Sequence, residues 1–176
     1  MIWGNPAKLA IEAQLEPGMV APVFGMNIAG RIRCHVAGEP LGDWDEPFCV
    51  LGTVSDHLME LASSSAGLWH PLLEPLTPEQ RFSALNDLVY ETSISAHPGA
   101  LSTLSNTNFL TNISEAFDST KSFILCSQDD QIQILIEGPC GFFHAELPRS
   151  EFVSLSEGFS NWVKSQEHRL IGKGDY

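Results

Sequence analysis

Cys140, His144 and Glu146 fall together in "PCGFFHAE" at 139–146, where a soft ligand, an imidazole and a carboxylate lie within seven positions. Positions four apart share a strand face. A zinc site, however, takes four ligands, or three and an open position. The stretch holds the HxE and PC fragments of a zinc deaminase signature in reversed order and without a second cysteine. It reads as a packed cysteine beside an outward histidine, and neither a metal nor any other cofactor is expected. Phosphate chemistry fares no better, for no GxxxxGK[ST] is present and "GMNIAG" at 25–30 lies inside a strand pattern. No GxSxG occurs, and the histidines at 35, 57, 70, 97, 144 and 168 stand in no recognisable order with a nucleophile. His57 reads as a solvated neighbour of an apolar helix stripe. The chain is not expected to be an enzyme. Only exposed clustering of Cys140, His144 and Glu146 beside a deep pocket would revive that reading.

The other stretch with chemical content is "GDWDE" at 42–46. One reading makes it a helix start: Asp45 caps, Pro47 fits the first turn, and Asp43, Asp45 and Glu46 favour the helix dipole by roughly 0.3–1 kcal/mol each, with Trp44 in the core. The other makes it an interface, with acids around an aromatic anchor steering a basic partner. The candidate partner-binding residues are therefore Glu39, Asp43, Trp44, Asp45 and Glu46, joined by Asp129 and Asp130 at an expected hairpin tip.

The elements that must position these residues follow from periodicity. Leu9, Ile11, Ala13 and Leu15 alternate with polar residues, and Met26, Ile28, Ile32, Cys34 and Val36 repeat the pattern, which predicts two long strands paired antiparallel. Gly25 and Gly30 suggest a bend or bulge in the second. Val50, Leu51, Val54, Leu58 and Leu61 recur at helical spacing. "TPEQ" at 77–80 signals a second helix through a capping box, with Phe82, Leu85, Leu88 and Val89 as its buried stripe. Residues 92–108 read as a long, mobile surface loop, and Phe109, Leu110, Ile113 and Phe117 as a short helix. "KSFILCSQDDQIQILIEG" predicts a hairpin turning at Asp129 and Asp130, "FFHAELP" a further strand, and "RSEFVSLSEGFSNWVKS" a closing helix capped by Ser150. Together these predict one α+β domain over residues 1–176, a mostly antiparallel sheet of about five strands with helices packed on one face.

Nine Lys and Arg against 22 Asp and Glu give a net charge of −13 in a chain of 176 residues that is 43% hydrophobic. That balance describes a folded, anionic protein. It opposes binding to nucleic acid or an anionic membrane and favours a basic protein partner. The first residues lack a signal-peptide pattern and no apolar run is long enough to span a bilayer, so a cytoplasmic protein is expected. Cys34, Cys49, Cys126 and Cys140 are widely spaced and expected to be free thiols.

Three stretches, "MIWGNPAKLAIEAQLE", "FGMNIAGRIRCHVAGEPLGDWD" and "IQILIEGPCGFFHAELPRSEFVSLSEGFSNWV", carry a resemblance to a known family. The matching features are the GxP turn at Gly4 and Pro6, the strand ending at Gly38 before "LGDW", and "ELPRSEF" opening a helix closed by Trp162. The chain resembles the immunity 42 family of bacterial polymorphic toxin systems. That resemblance implies a cytoplasmic protein encoded beside a toxin, which binds the toxin's C-terminal domain and blocks it without cofactor or turnover. An acidic inhibitor suits a basic toxin domain. The alternative is a non-enzymatic regulatory or scaffold module unrelated to toxins, with loop 92–108 as its contact. A homodimer is left open.

Overall fold

The alternation in "LAIEAQL" becomes β2 (Leu9–Leu15), with Leu9, Ile11 and Ala13 buried. In the computed structural model, which describes residues 1–16, 28–90, 104 and 106–171, β2 pairs antiparallel with β1 (Ile2–Asn5) and with β3 (Ala29–Val36). The predicted pairing of the two long strands is borne out. Its register sets Ile11 opposite Cys34 and Ala13 opposite Ile32. All four are fully buried, and a slip by one residue would turn that apolar set outward. β4 (Glu39–Leu41) and β5 (Cys49–Val50) pair with opposite ends of β3, completing a five-stranded sheet. Gly30 serves a close approach rather than a bulge: a Cβ there would stand 2.3 Å from the Gln14 carbonyl oxygen and 2.9 Å from Leu51 Cδ1. Gly25 lies outside the described residues.

A second antiparallel sheet contains β6 (Lys121–Cys126), β7 (Gln131–Gly138) and β8 (Gly141–Pro148) in that order. The hairpin turns where expected, with Asp130 in the left-handed region at φ 57° and its amide donating to the Ser127 carbonyl. The antiparallel α+β class holds, but the described strands number eight in two sheets rather than about five in one. The helices are also not confined to one face. Ile132, Ile134 and Ile136 enter the main core, while Phe123, Leu125 and Leu135 pack with Phe82 and Leu85 of α2 (Pro78–Tyr90) on the other side. Consecutive apolar residues in "FILC" are what two-sided burial requires.

α1 (Leu51–Ser64) buries Leu51, Val54, Leu58 and Leu61, as its spacing predicts. It packs along α3 (Arg149–Ile171), which contributes Phe152, Leu155, Phe159 and Val163 to the main core. Ser150 is not the cap of α3, because the helix follows β8 without a break and Ser150 sits in its first turn. The Arg149 amide instead donates to the Asp130 carbonyl at 2.9 Å, and its Nε donates to Ser65 Oγ at 3.0 Å. At α2 the capping box is formed: the Thr77 amide donates to Gln80 Oε1 at 2.9 Å, and the Gln80 amide to Thr77 Oγ1 at 3.3 Å.

The short helix expected around residues 109–117 is replaced by turns and a single 3-10 turn at Glu115–Phe117. Polar side chains take over the backbone here. Ser122 Oγ accepts from the Leu110 amide, Thr111 Oγ1 accepts from the Ser122 amide, and Asn108 bonds both backbone groups of Thr111. Such local bonds compete with a helix ladder. His57 is not a solvated neighbour, since its Nε2 lies 2.8 Å from the Phe109 carbonyl and ties α1 to this segment. Residues 92–103 of the expected surface loop lie outside the described residues. All four cysteines are free; Cys34, Cys49 and Cys126 are buried and Cys140 is exposed. Burial pushes the three buried thiols up, away from the reactive thiolate form.

Candidate functional site

β3 has an apolar inner face and a charged outer one, and its middle is crossed by the segment 42–48 that joins β4 to β5. The crossing starts at Gly42, whose φ of 103° favours glycine, and a Cβ there would meet Phe117 at 2.8 Å. The Asp43 amide then donates to the Ala116 carbonyl at 2.8 Å. Two carboxylates hold the remaining backbone: Asp43 Oδ1 accepts from the Asp45 amide at 2.9 Å, and Glu46 Oε1 from the Phe48 amide at 3.0 Å. From below, Arg31 Nη1 donates to the Trp44 carbonyl at 3.0 Å and lies 3.7 Å from the Asp45 carboxylate. The Arg33 guanidinium lies over the Trp44 ring, 4.6 Å from its centroid.

This geometry overturns the helix-start reading. α1 begins only at Leu51, its N-cap is Val50 with no side-chain cap, and its first turn holds no acid. β5 stands between the acids and the helix. Asp45 and Pro47 therefore neither cap nor open α1. The acids form a surface loop, with the Asp45 side chain 98% exposed and Asp43 also exposed. Trp44 is half-buried against Arg33, whereas Phe48, two residues past the quoted motif, is 57% exposed. The exposed aromatic of this loop is thus Phe48 rather than Trp44.

Glu39 is exposed on β4. Asp129 and Asp130 are exposed as well, but they occupy the far end of the second sheet: the opposite end of β7, at Pro139 and Cys140, is the one that lies beside Glu39 and Asp43. The eight residues of β7 separate the two patches by on the order of 20 Å of strand. Asp130 is also committed to Arg149 at 3.7 Å. Cys140, His144 and Glu146 are not brought together. Cys140 shares a groove with Phe143, whereas His144 stacks on Phe142 and Glu146 accepts from Gln133 Nε2 at 2.7 Å. Phe143 packs against the main core and Phe142 against the α2 cluster, so the three side chains divide between two faces. Among the described residues no group of three or more His, Cys, Asp or Glu is placed to hold a metal ion.

Outside the loop, the charged face of β2 and β3 is internally matched. Glu12 Oε2 accepts from Arg33 Nε at 2.6 Å and lies 3.0 Å from His35 Nε2, while Glu16 Oε2 accepts from Arg31 Nε at 2.9 Å. The two arginines that hold the acidic loop are thus themselves held. Burial pushes the Glu12 carboxyl up, but the hydrogen bonds and positive charges of Arg33 and His35 outweigh it and hold the carboxyl below its ordinary value of 4.5. A carboxyl depressed in this way stabilises the fold above its unfolded pKa, and that contribution disappears as pH falls through the folded value. Denaturant titrations should therefore show the stability advantage of the native protein over Glu12→Gln shrinking as pH falls below the ordinary carboxyl value of 4.5 and on through the lower folded value. A gap independent of pH would contradict the coupling.

The α+β frame thus carries a loop whose acidic side chains accept hydrogen bonds from its own backbone. The comparisons identify the kind of protein: the family model for immunity protein 42 matches residues 1–162, and the chain belongs to that family. The fold is shared with the crystal structure of CdiI from Burkholderia dolosa AUO158, at 16% identity and a TM-score of 0.67, over 90% of this chain and 97% of that one. Comparison with curated proteins gives no match. Among the described residues no helix is long and apolar enough to cross a membrane.

Proposed function

We propose that this immunity protein neutralises its cognate toxin by forming a stoichiometric complex with the toxin's C-terminal domain in the cytoplasm. Membership of the immunity protein 42 family over residues 1–162 is the observation that carries the reading. The proposed contact is the face built on loop 42–48. Glu39, Asp43, Asp45 and Glu46 supply negative charge, Phe48 an apolar anchor, and Trp44 the support that Arg33 holds in place. Interface cores are enriched in aromatic residues, and charges at the rim steer the encounter. Side chains bonded to the loop's own backbone lower the ordering cost of binding. Asp129 and Asp130 form a separate patch that contributes to steering rather than to the same contact.

The toxin domain is proposed to be basic, because a partner bearing positive charge gains from the field of a chain of net charge −13. Inhibition proceeds by occupancy, without turnover or cofactor. The test is a titration of the purified protein against the toxin domain encoded beside it, over a series of salt concentrations. Saturable one-to-one binding supports the proposal, and absence of binding at low salt removes it.

A further inference from the structure

The two sheets end side by side at a groove of about 350 Å³, walled by Glu39–Asp43 on one side and by Pro139, Cys140 and Phe143 on the other, with Ser119 and Thr120 between. Among the described strands β8 pairs with β7 alone and so leaves one edge unpaired, whereas β4, three residues with Pro40 at its centre, is a blunted edge. Unpaired strand edges take up extended segments through main-chain hydrogen bonds. The walls combine apolar surface from Pro40, Pro139 and Phe143 with the carboxylates of Glu39 and Asp43. Among the described residues neither carboxylate is in an ion pair. Such a wall suits a lysine or arginine, whose aliphatic stem covers apolar surface while its charged head reaches a carboxylate.

We infer that this groove receives an extended, basic segment of the toxin domain, so that the contact continues from loop 42–48 across Gly42 to the turn between β7 and β8. The inference rests on the toxin reading and adds the chemistry of the segment that enters. A second copy of this chain is a poorer occupant, because it would bring another net charge of −13 against Glu39 and Asp43.

Cys140 provides the probe, being the one exposed thiol of the four. Native protein should take up one equivalent of iodoacetamide quickly at Cys140, and saturating toxin domain should slow that modification at least tenfold. In a parallel titration, Cys140→Trp, which places a bulky ring in an exposed turn at the groove, should weaken toxin binding at least tenfold with an unchanged far-ultraviolet circular dichroism spectrum. Should that variant fail to fold, the pair Glu39→Gln and Asp43→Asn, which keeps side-chain volume and hydrogen-bonding oxygens, should give a smaller loss in the same direction. Toxin that binds while Cys140 stays as reactive as before, or while the variants bind undiminished, overturns the groove and leaves the toxin reading standing. Protection that grows with protein concentration without toxin identifies a second copy as the occupant and overturns it too. If wild-type protein does not bind the toxin domain at all, the parent reading fails and the inference falls with it.

Discussion

Phe117→Ala is expected to lower the unfolding free energy by about 3–5 kcal/mol, the range for emptying a buried phenylalanine site. The Phe117 ring is fully buried, and it closes the space under Gly42, where even a Cβ would stand only 2.8 Å from it. Its neighbour Ala116 accepts the amide of Asp43. The variant should therefore lose affinity for the toxin as well as stability, because the floor of the acidic loop is part of the core. Phe48→Ala provides the contrast: its side chain is exposed, so its stability should change by less than about 0.5 kcal/mol while its affinity falls. Urea denaturation of both variants checks this. A loss under about 1 kcal/mol for Phe117→Ala would mean that the site collapses easily and that the loop is not braced by the core.

The second large effect concerns association rate. Asp43→Asn, Asp45→Asn and Glu46→Gln together remove three negative charges. The oxygens that accept from the Asp45 and Phe48 amides remain, so the loop should keep its shape. Stopped-flow association with the toxin domain at low salt should slow by roughly 10-fold to 100-fold, and the dependence on salt should flatten. Stability should hardly change, because no helix N-terminus lies within the loop. Acids on a helix dipole would instead have cost roughly 0.3–1 kcal/mol each when neutralised. An unaltered association rate would mean that the loop charges do not steer the toxin.

Much of the frame was legible in the amino-acid pattern, because strict alternation in β2 and β3, the Thr77 to Gln80 capping box and the helical spacing of α1 and α3 are local signals that tertiary packing did not overrule. β1 escaped because its four residues are mostly exposed and carry no alternation. The expected helix at 109–117 failed for a different reason: Ser122, Thr111 and Asn108 satisfy the backbone through side chains, and the partner residue lies in a strand eleven or more positions later. The acids at 43–46 were visible as composition but not as geometry. Whether they start a helix or bridge two short strands depends on the two-residue β5, which pairs with Ala29 and Gly30 some twenty positions earlier. The groove had no local signature at all, since its walls come from residues 39–43, 119–120 and 139–143.

The central claim is tested most directly by isothermal titration of this protein into its purified cognate toxin domain, repeated from low to physiological salt. The account predicts a single saturable transition at one-to-one stoichiometry, with an affinity that weakens as salt rises and recovery of toxin-exposed cells that tracks occupancy. Absence of heat and of complex at the lowest salt, with both proteins folded, would contradict it.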